Sequence, residues 1–454
     1  MTTTADSGGS ARIRAVPSIP APARPATTVP APAPAPGLSC PQCDAALAGE
    51  YGYVRWCTAC EWNIDGGVNA AAASTTRFEA LYRRVSTRSA RQLMDEVCTP
   101  AGLRPRRDGA AWLAIALAIP VHLLCLALVA GAAWLIFGVR SPVSYIGAAI
   151  LLGAAFLGRP RLEHPAADGI HLRRADAPVL FGVCDRVSAT TGAPQVEIVT
   201  IVEDFNAYSG RVGLRRRANV TIGARWWAGV GNDSRLATLG HEFGHFSNGD
   251  WTHQVIVSSA LNTLEEWYHA FGDGLAAGGL AGVVESAASR VVRLVTGNWF
   301  WLIYVSLARV GQRAEYMADA MAAAVAGSDA EVQAEQDMLG AGSVDTSIAT
   351  SVAATLRTHP RHVPDELLGV WAAVAERAAR TPASELERRL RASKRSQTRV
   401  DDSHPPTWMR IQAVRSRPKQ DPAVRVSDAE WTAIEHELAA PMRAMERHVF
   451  DETR

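Results

Sequence analysis

The chain has 454 residues, 48% of them hydrophobic, and a formal net charge of +1. Its length suggests two or three domains. The even charge balance offers no electrostatic footprint for a nucleic-acid partner, and none is expected.

In chain order, residues 1–37 are rich in Pro, Ala, Thr and Ser and lack an apolar run of signal-peptide type. They read as a disordered, partly polyproline tail. Residues 38–66 carry two Cys-x-x-Cys pairs, Cys40/Cys43 and Cys57/Cys60. Four thiolates in two pairs suit a tetrahedral structural zinc, and the intervening length fits a zinc ribbon. A unit this small cannot build an apolar core, so the metal would supply its folding energy. The ribbon's partner is not readable. Cys98, Cys125 and Cys184 are scattered and read as free thiols, which favours a reducing compartment.

Residues 67–108 read as a helical, basic linker. No charged residue then appears between Gly109 and Val139, longer than the ~20 residues a membrane span needs. His122 inside that run reads as a neutral histidine packed on a neighbouring helix. After Arg140 a second apolar run, 143–158, is marginal for crossing. Residues 109–158 therefore read as a transmembrane hairpin, with a single span plus a re-entrant or interfacial segment as the alternative. Arg104, Arg106 and Arg107 precede the first run, Arg159, Arg161, Arg173 and Arg174 follow the second, and only Arg140 lies between. The positive-inside rule puts both ends in the cytoplasm.

Beyond residue 160 the pattern is α+β. "DAPVLFGVCDRVSATTG" reads as a helix, "QVEIVTIV" as a strand, and "FNAYSG" and "NVTIG" as short strands or turns. "TLGHEFGHFSNGD" (238–250) follows, with N-cap candidates Asn232, Asp233 and Ser234 and Gly249 as a stop. On this helix His241 and His245 share a face and can hold one zinc, with Glu242 beside them to take a proton from an attacking water. The segment 291–310 is apolar but carries Arg293, Asn298 and Arg309. It reads as a buried or membrane-facing helix of the domain, or as a third membrane-inserted element. In "GQRAEYMADAMAAA", Glu315 and Asp319 lie four apart on one helix face, a carboxylate ligand followed by a group that can accept a histidine's outer N–H.

HEFGH, EYMAD, "SHPPTWMRI" and "FNAYSG" in this order resemble the HtpX-like and CAAX-prenyl-protease-like membrane zinc metallopeptidases, which are gluzincins. The resemblance covers about 160–415. It implies catalytic zinc at His241, His245 and Glu315, with Glu242 as general base and Asp319 orienting His241. It also implies endopeptidase activity on protein or peptide substrates. By the same resemblance His404, preferred over His359, would stabilise the oxyanion, and Asn206, Ala207, Tyr208 and Arg410 would line the substrate. The ribbon and the Arg/Lys-rich stretch "LERRLRASKRSQTR" are departures from the family pattern.

The expected class is α+β: a mainly helical zincin-type domain with a small sheet (160–415), followed by a C-terminal helical segment (416–454). Two zinc ions are expected, one catalytic and one structural. The expected setting is multi-pass in the cell membrane, in contact with the bilayer, with ribbon and protease facing the cytoplasm. The alternative is a membrane-anchored zinc-ribbon adaptor with an inactive peptidase-like domain.

Overall fold

The structure, a computed structural model, describes residues 34–65, 92–98, 109–157, 159, 164–247, 251–270, 279–395 and 405–453. The first described unit is a three-stranded antiparallel sheet, β1 (Pro34–Ser39), β2 (Ala46–Ala48) and β3 (Trp56–Cys57). β1 begins inside the segment read from sequence as tail, which corrects that boundary. Pro34 pairs with Ala48 across a shifted register, so even a proline-rich stretch is drawn into the sheet edge.

Two apolar helices follow. α1 (Gly109–Trp134) runs on through a π turn at Leu135–Val139, and α2 (Pro142–Leu157) folds back on it. A Cβ on Gly131 would touch Leu151, and one on Gly147 would touch Leu135, so the two helices lie antiparallel.

The main domain is built on a four-stranded sheet of order β4-β5-β7-β6: β4 (Ile170–Leu172), β5 (Ile198–Val202), β6 (Ala207–Val212) and β7 (Arg217–Gly223). β5 and β7 are parallel because the chain leaves β5 for the far edge, forms β6, and returns by a hairpin to place β7 between them. β7 is buried almost throughout, as a central strand covered on both faces must be, whereas β6 is an edge. The polar side chains inside are satisfied: Thr200 donates to Asn219, which donates to Thr221.

Helices α3 (Pro178–Thr191), α4 (Ala224–Gly229) and α5 (Asn232–Ser247) pack on this sheet with α9 (Ala341–Thr358), α10 (Val370–Ala379) and α13 (Asp428–Glu452). α5 begins at Asn232 itself, one to three residues earlier than the expected caps imply. The Asn232 side chain accepts from Arg235 one turn on, and Ser234 makes a tertiary bond, donating to Asp337. α13 is no appendage, which corrects the separate segment expected at 416–454. Its Trp431, Ile434, Leu438, Met442 and Phe450 lie in the same core. Its Glu437 accepts from the N–H groups of Val179 and Leu180 at 2.8 and 3.0 Å, satisfying the start of α3.

After α5 come α6 (Trp251–Ala270) and α7 (Gly279–Ala326). α7 has 48 residues, about 72 Å at 1.5 Å per residue. Its middle joins α1 and α6 in a separate apolar cluster around Ala118, Val257, Ala260, Leu264 and Ile303. There His122 meets the Ile256 carbonyl at 2.9 Å, the helix-to-helix role expected of it. Its last turns enter the sheet domain. Among the described residues, Gly109–Val139 and Ser289–Ala326 are long and apolar enough to cross a membrane. The remaining helices are α8 (Ser328–Met338), α11 (Ala383–Arg395) and α12 (Thr407–Arg415).

Candidate metal centre

The site forms where α5 and α7 cross. Buried Leu236, Leu239 and Phe243 hold one face of α5 to the core, which turns Gly240, His241, Gly244 and His245 toward α7. The two glycines let the helices approach closely: a Cβ on Gly240 would lie 2.9 Å from Val325 Cβ, and one on Gly244 2.9 Å from Ala318 Cα. This contact brings Glu315 and Asp319 of α7 within reach of the histidines.

His241 Nε2 and His245 Nε2 lie 3.1 Å apart, and the Glu315 oxygens lie 3.5 Å from each of them. Donors about 2.0–2.1 Å from a tetrahedral zinc sit about 3.4 Å from one another, so this donor set fits that ion. Asp319 Oδ1 is 3.0 Å from His241 Nδ1. With Nε2 aimed at the common point, Nδ1 carries the proton and donates to Asp319. Glu242 is buried on the same helix, and its backbone carbonyl accepts from Ser209 of β6 at 2.9 Å. That bond ties the edge strand to the site. Of the strand residues, Tyr208 is exposed and Ala207 buried, while the Asn206 carbonyl accepts from the Gly223 N–H.

Arg410 corrects an expectation. It does not face a substrate; only 9% exposed, it is folded behind the metal donors. Its Nε donates to Asp319 Oδ2 at 3.1 Å, its Nη2 also donates to Asp319, and its Nη1 meets Glu335 Oε1 at 2.8 Å. The reason is burial: a guanidinium on α12 packed against α7 and α8 must find carboxylates, and Asp319 and Glu335 are those present. Arg410 Nη2 also comes within 3.1 Å of His241 Nδ1. Both are donors in this tautomer, so both point at Asp319.

Sequence reasoning missed Glu331 and Glu335, buried on α8. Their signal was two acids four apart in a helix next to the third-ligand motif. Burial, with Asp319 and Glu335 close by, pushes Glu331 well above the carboxylate range. Burial also raises Glu335, to about 7, against the pull of Arg410. Burial opposes ionisation of Asp319 too, but Arg410 and the His241 hydrogen bond prevail and lower its pKa. His241 goes the other way: burial and Arg410 oppose its charge, yet Asp319 and Glu315 raise it well above 6.5. A metal on Nε2 would displace that proton.

His404 lies outside the described residues. His359 sits at the end of α9, where its ring bonds Thr358 at 2.9 Å.

A second cluster, of four cysteines, is equally compact. Sγ–Sγ separations of 3.5 Å link Cys40 to Cys60 and Cys43 to Cys57. They are far longer than a disulfide of about 2.05 Å and close to the ~3.8 Å of thiolates around a tetrahedral zinc. Cys98, Cys125 and Cys184 are free thiols. The unit packs Ala48, Trp56 and Ile64 against Ala392 of α11. Arg391 donates to the Thr58 carbonyl at 2.9 Å, Arg388 to that of Ile64, and Arg395 pairs with Glu61 at 2.9 Å. The stretch "LERRLRASKRSQTR" thus begins as the docking helix of the cysteine unit.

Two histidines and a carboxylate that could hold a metal ion thus converge on crossed helices, beside the edge of a small sheet in a mainly helical α+β domain. The chain belongs to peptidase family M48, whose family model matches residues 182–418. Metallopeptidases of this family are zinc-dependent. Neither a search of curated proteins nor one of solved structures finds a match.

Proposed function

We propose that the chain is a membrane-anchored zinc endopeptidase of the HExxH gluzincin type, related to the HtpX-like branch, acting on protein substrates at the cytoplasmic membrane face. The observation that carries the reading is the convergence of His241, His245 and Glu315, with Asp319 on the outer nitrogen of His241. Zinc bound there would lower the pKa of a water and polarise the scissile carbonyl. Glu242 takes the proton of the attacking water and delivers it to the leaving amine. An extended substrate adds to the free edge of β6 near Asn206, Ala207 and Tyr208, main chain to main chain. His404 completes the oxyanion site. The full donor set weighs against the inactive-adaptor alternative. The cysteine unit is a ribbon holding a second, structural zinc.

Membrane insertion is supported by α1 and by its apolar surface: Trp112, Leu123, Leu126, Trp134 and Phe137 are all exposed. Docking of the ribbon on α11, and of Glu96 on Arg313 at 2.8 Å, favours one side for everything outside the hairpin. The chain between residues 98 and 164 then crosses an even number of times, so α1 and α2 cross together. The arginine asymmetry makes that side the cytoplasm. With 16 residues, α2 spans about 24 Å, a mismatch that local thinning absorbs.

The test is hydrolysis of unfolded casein by full-length protein in detergent. Activity is expected to vanish with a zinc chelator, to return with zinc, and to be lost in Glu242→Gln. Undiminished cleavage by Glu242→Gln would overturn the assignment.

A further inference from the structure

We propose that Glu335 is a positioning residue for the metal ligand His241, acting through Arg410 and Asp319. The proposal rests on the zinc reading above and goes beyond it to a residue that touches neither metal nor substrate.

The problem it solves is the charge on Arg410. That guanidinium is buried, and its Nη2 lies 3.1 Å from His241 Nδ1 and 3.9 Å from Glu315 Oε2. A cation there repels a dication and draws Asp319 away from the histidine. Asp319 is shared, since His241 Nδ1–H and two Arg410 nitrogens all donate to its carboxylate, and its single negative charge is divided between them. Glu335 takes the opposite edge of the guanidinium, Oε1 on Nη1 at 2.8 Å, and is itself only 4% exposed. Arg410 is thereby held between two carboxylates, with its orientation fixed and its charge shared. Asp319 keeps enough negative charge to hold the Nδ1 proton and strengthen Nε2 as a donor. The alternative is that Glu335 merely fills space and neutralises Arg410 for folding, with no effect on the metal.

Zinc dissociation is measured by chelator competition at pH 8 on wild type, Glu335→Gln, Glu335→Asp, Arg410→Gln and the Glu335→Gln/Arg410→Gln double variant. The Tm of each metal-free protein is recorded. Glu315→Ala reports the ribbon's zinc alone. Glu335→Gln keeps the shape and the acceptor but not the charge; its catalytic-site zinc is expected to dissociate about tenfold more readily, with little change in metal-free Tm. Glu335→Asp should recover part of that loss. The double variant should show no further loss from Glu335→Gln beyond that of Arg410→Gln, because the two residues act as one unit. Wild-type zinc retention in Glu335→Gln overturns the proposal, as does an equal loss in Gln and Asp. Should Glu335→Gln fail to fold, the Asp variant and the double-variant comparison decide on the same criteria. If wild type holds no more zinc than Glu315→Ala, the zinc reading itself fails, which is a different outcome.

Discussion

Gly244→Ala adds one methyl group to the α5–α7 crossing. Its Cβ would lie 2.9 Å from Ala318 Cα, 3.2 Å from Met321 Cβ and 3.3 Å from Ala318 Cβ. Carbon atoms rest about 3.5–4.0 Å apart, so the helices must part by roughly 0.6–1 Å there. Ala318 stands beside Asp319 and one turn from Glu315, so the displacement passes directly to both. Metal donors tolerate about 0.2 Å. Overpacking costs about 1–3 kcal/mol, and replacing a helical glycine with alanine returns about 1 kcal/mol. Stability should therefore fall by about 0–2 kcal/mol, while zinc affinity falls about tenfold or more, the scale of a disturbed ligand support. The assay is chelator competition alongside thermal melting. Gly182→Ala on α3, where an added Cβ meets nothing within 4 Å, serves as control and should leave zinc binding unchanged. Wild-type zinc affinity in Gly244→Ala would refute the claim that close helix approach sets the ligand geometry.

Two further outcomes are expected. Ser427 and Glu430 form a capping box at the start of α13, and the Ser427 backbone N–H and Arg186 lower the Glu430 pKa to about 2. A depressed carboxylate stabilises the fold above its unfolded pKa and loses that contribution as pH falls through about 2. The difference in urea midpoint between wild type and Glu430→Gln should therefore be present at neutral pH and shrink below about 4.5; a pH-independent difference counts against the cap. Reporter fusions after Gly67 and after Arg454 should both report cytoplasmic, since the ribbon and the protease domain are docked; opposite sides would mean a single crossing.

The candidate donor set was legible because each half of it is local. His241 and His245 are one turn apart, and Glu315 and Asp319 are too, so each half declares itself by helical spacing. The buried shell behind them was not, because Arg410, Glu331 and Glu335 come from α12 and α8. Only tertiary packing reveals that a guanidinium in "TWMRI" turns inward to Asp319 and not outward to substrate. The four-cysteine cluster was equally plain from spacing, whereas the attachment of its unit to α11 depends on arginines reaching carbonyls more than 300 positions away in sequence. α13 looked detachable for the same reason. Its place in the core, and its Glu437 on the start of α3, arise only on folding. β1 was hidden by composition, since proline is rare in strands other than at edges.

The central claim assigns different work to neighbouring acids: Glu242 moves a proton, and Glu315 holds the metal. Zinc content by elemental analysis, taken with casein hydrolysis on the same preparations, tests it directly. Glu242→Gln should retain the wild-type zinc content and lose cleavage. Glu315→Ala should lose one zinc per chain together with cleavage, keeping the ribbon's ion. Full zinc content and normal turnover in Glu315→Ala would contradict the account.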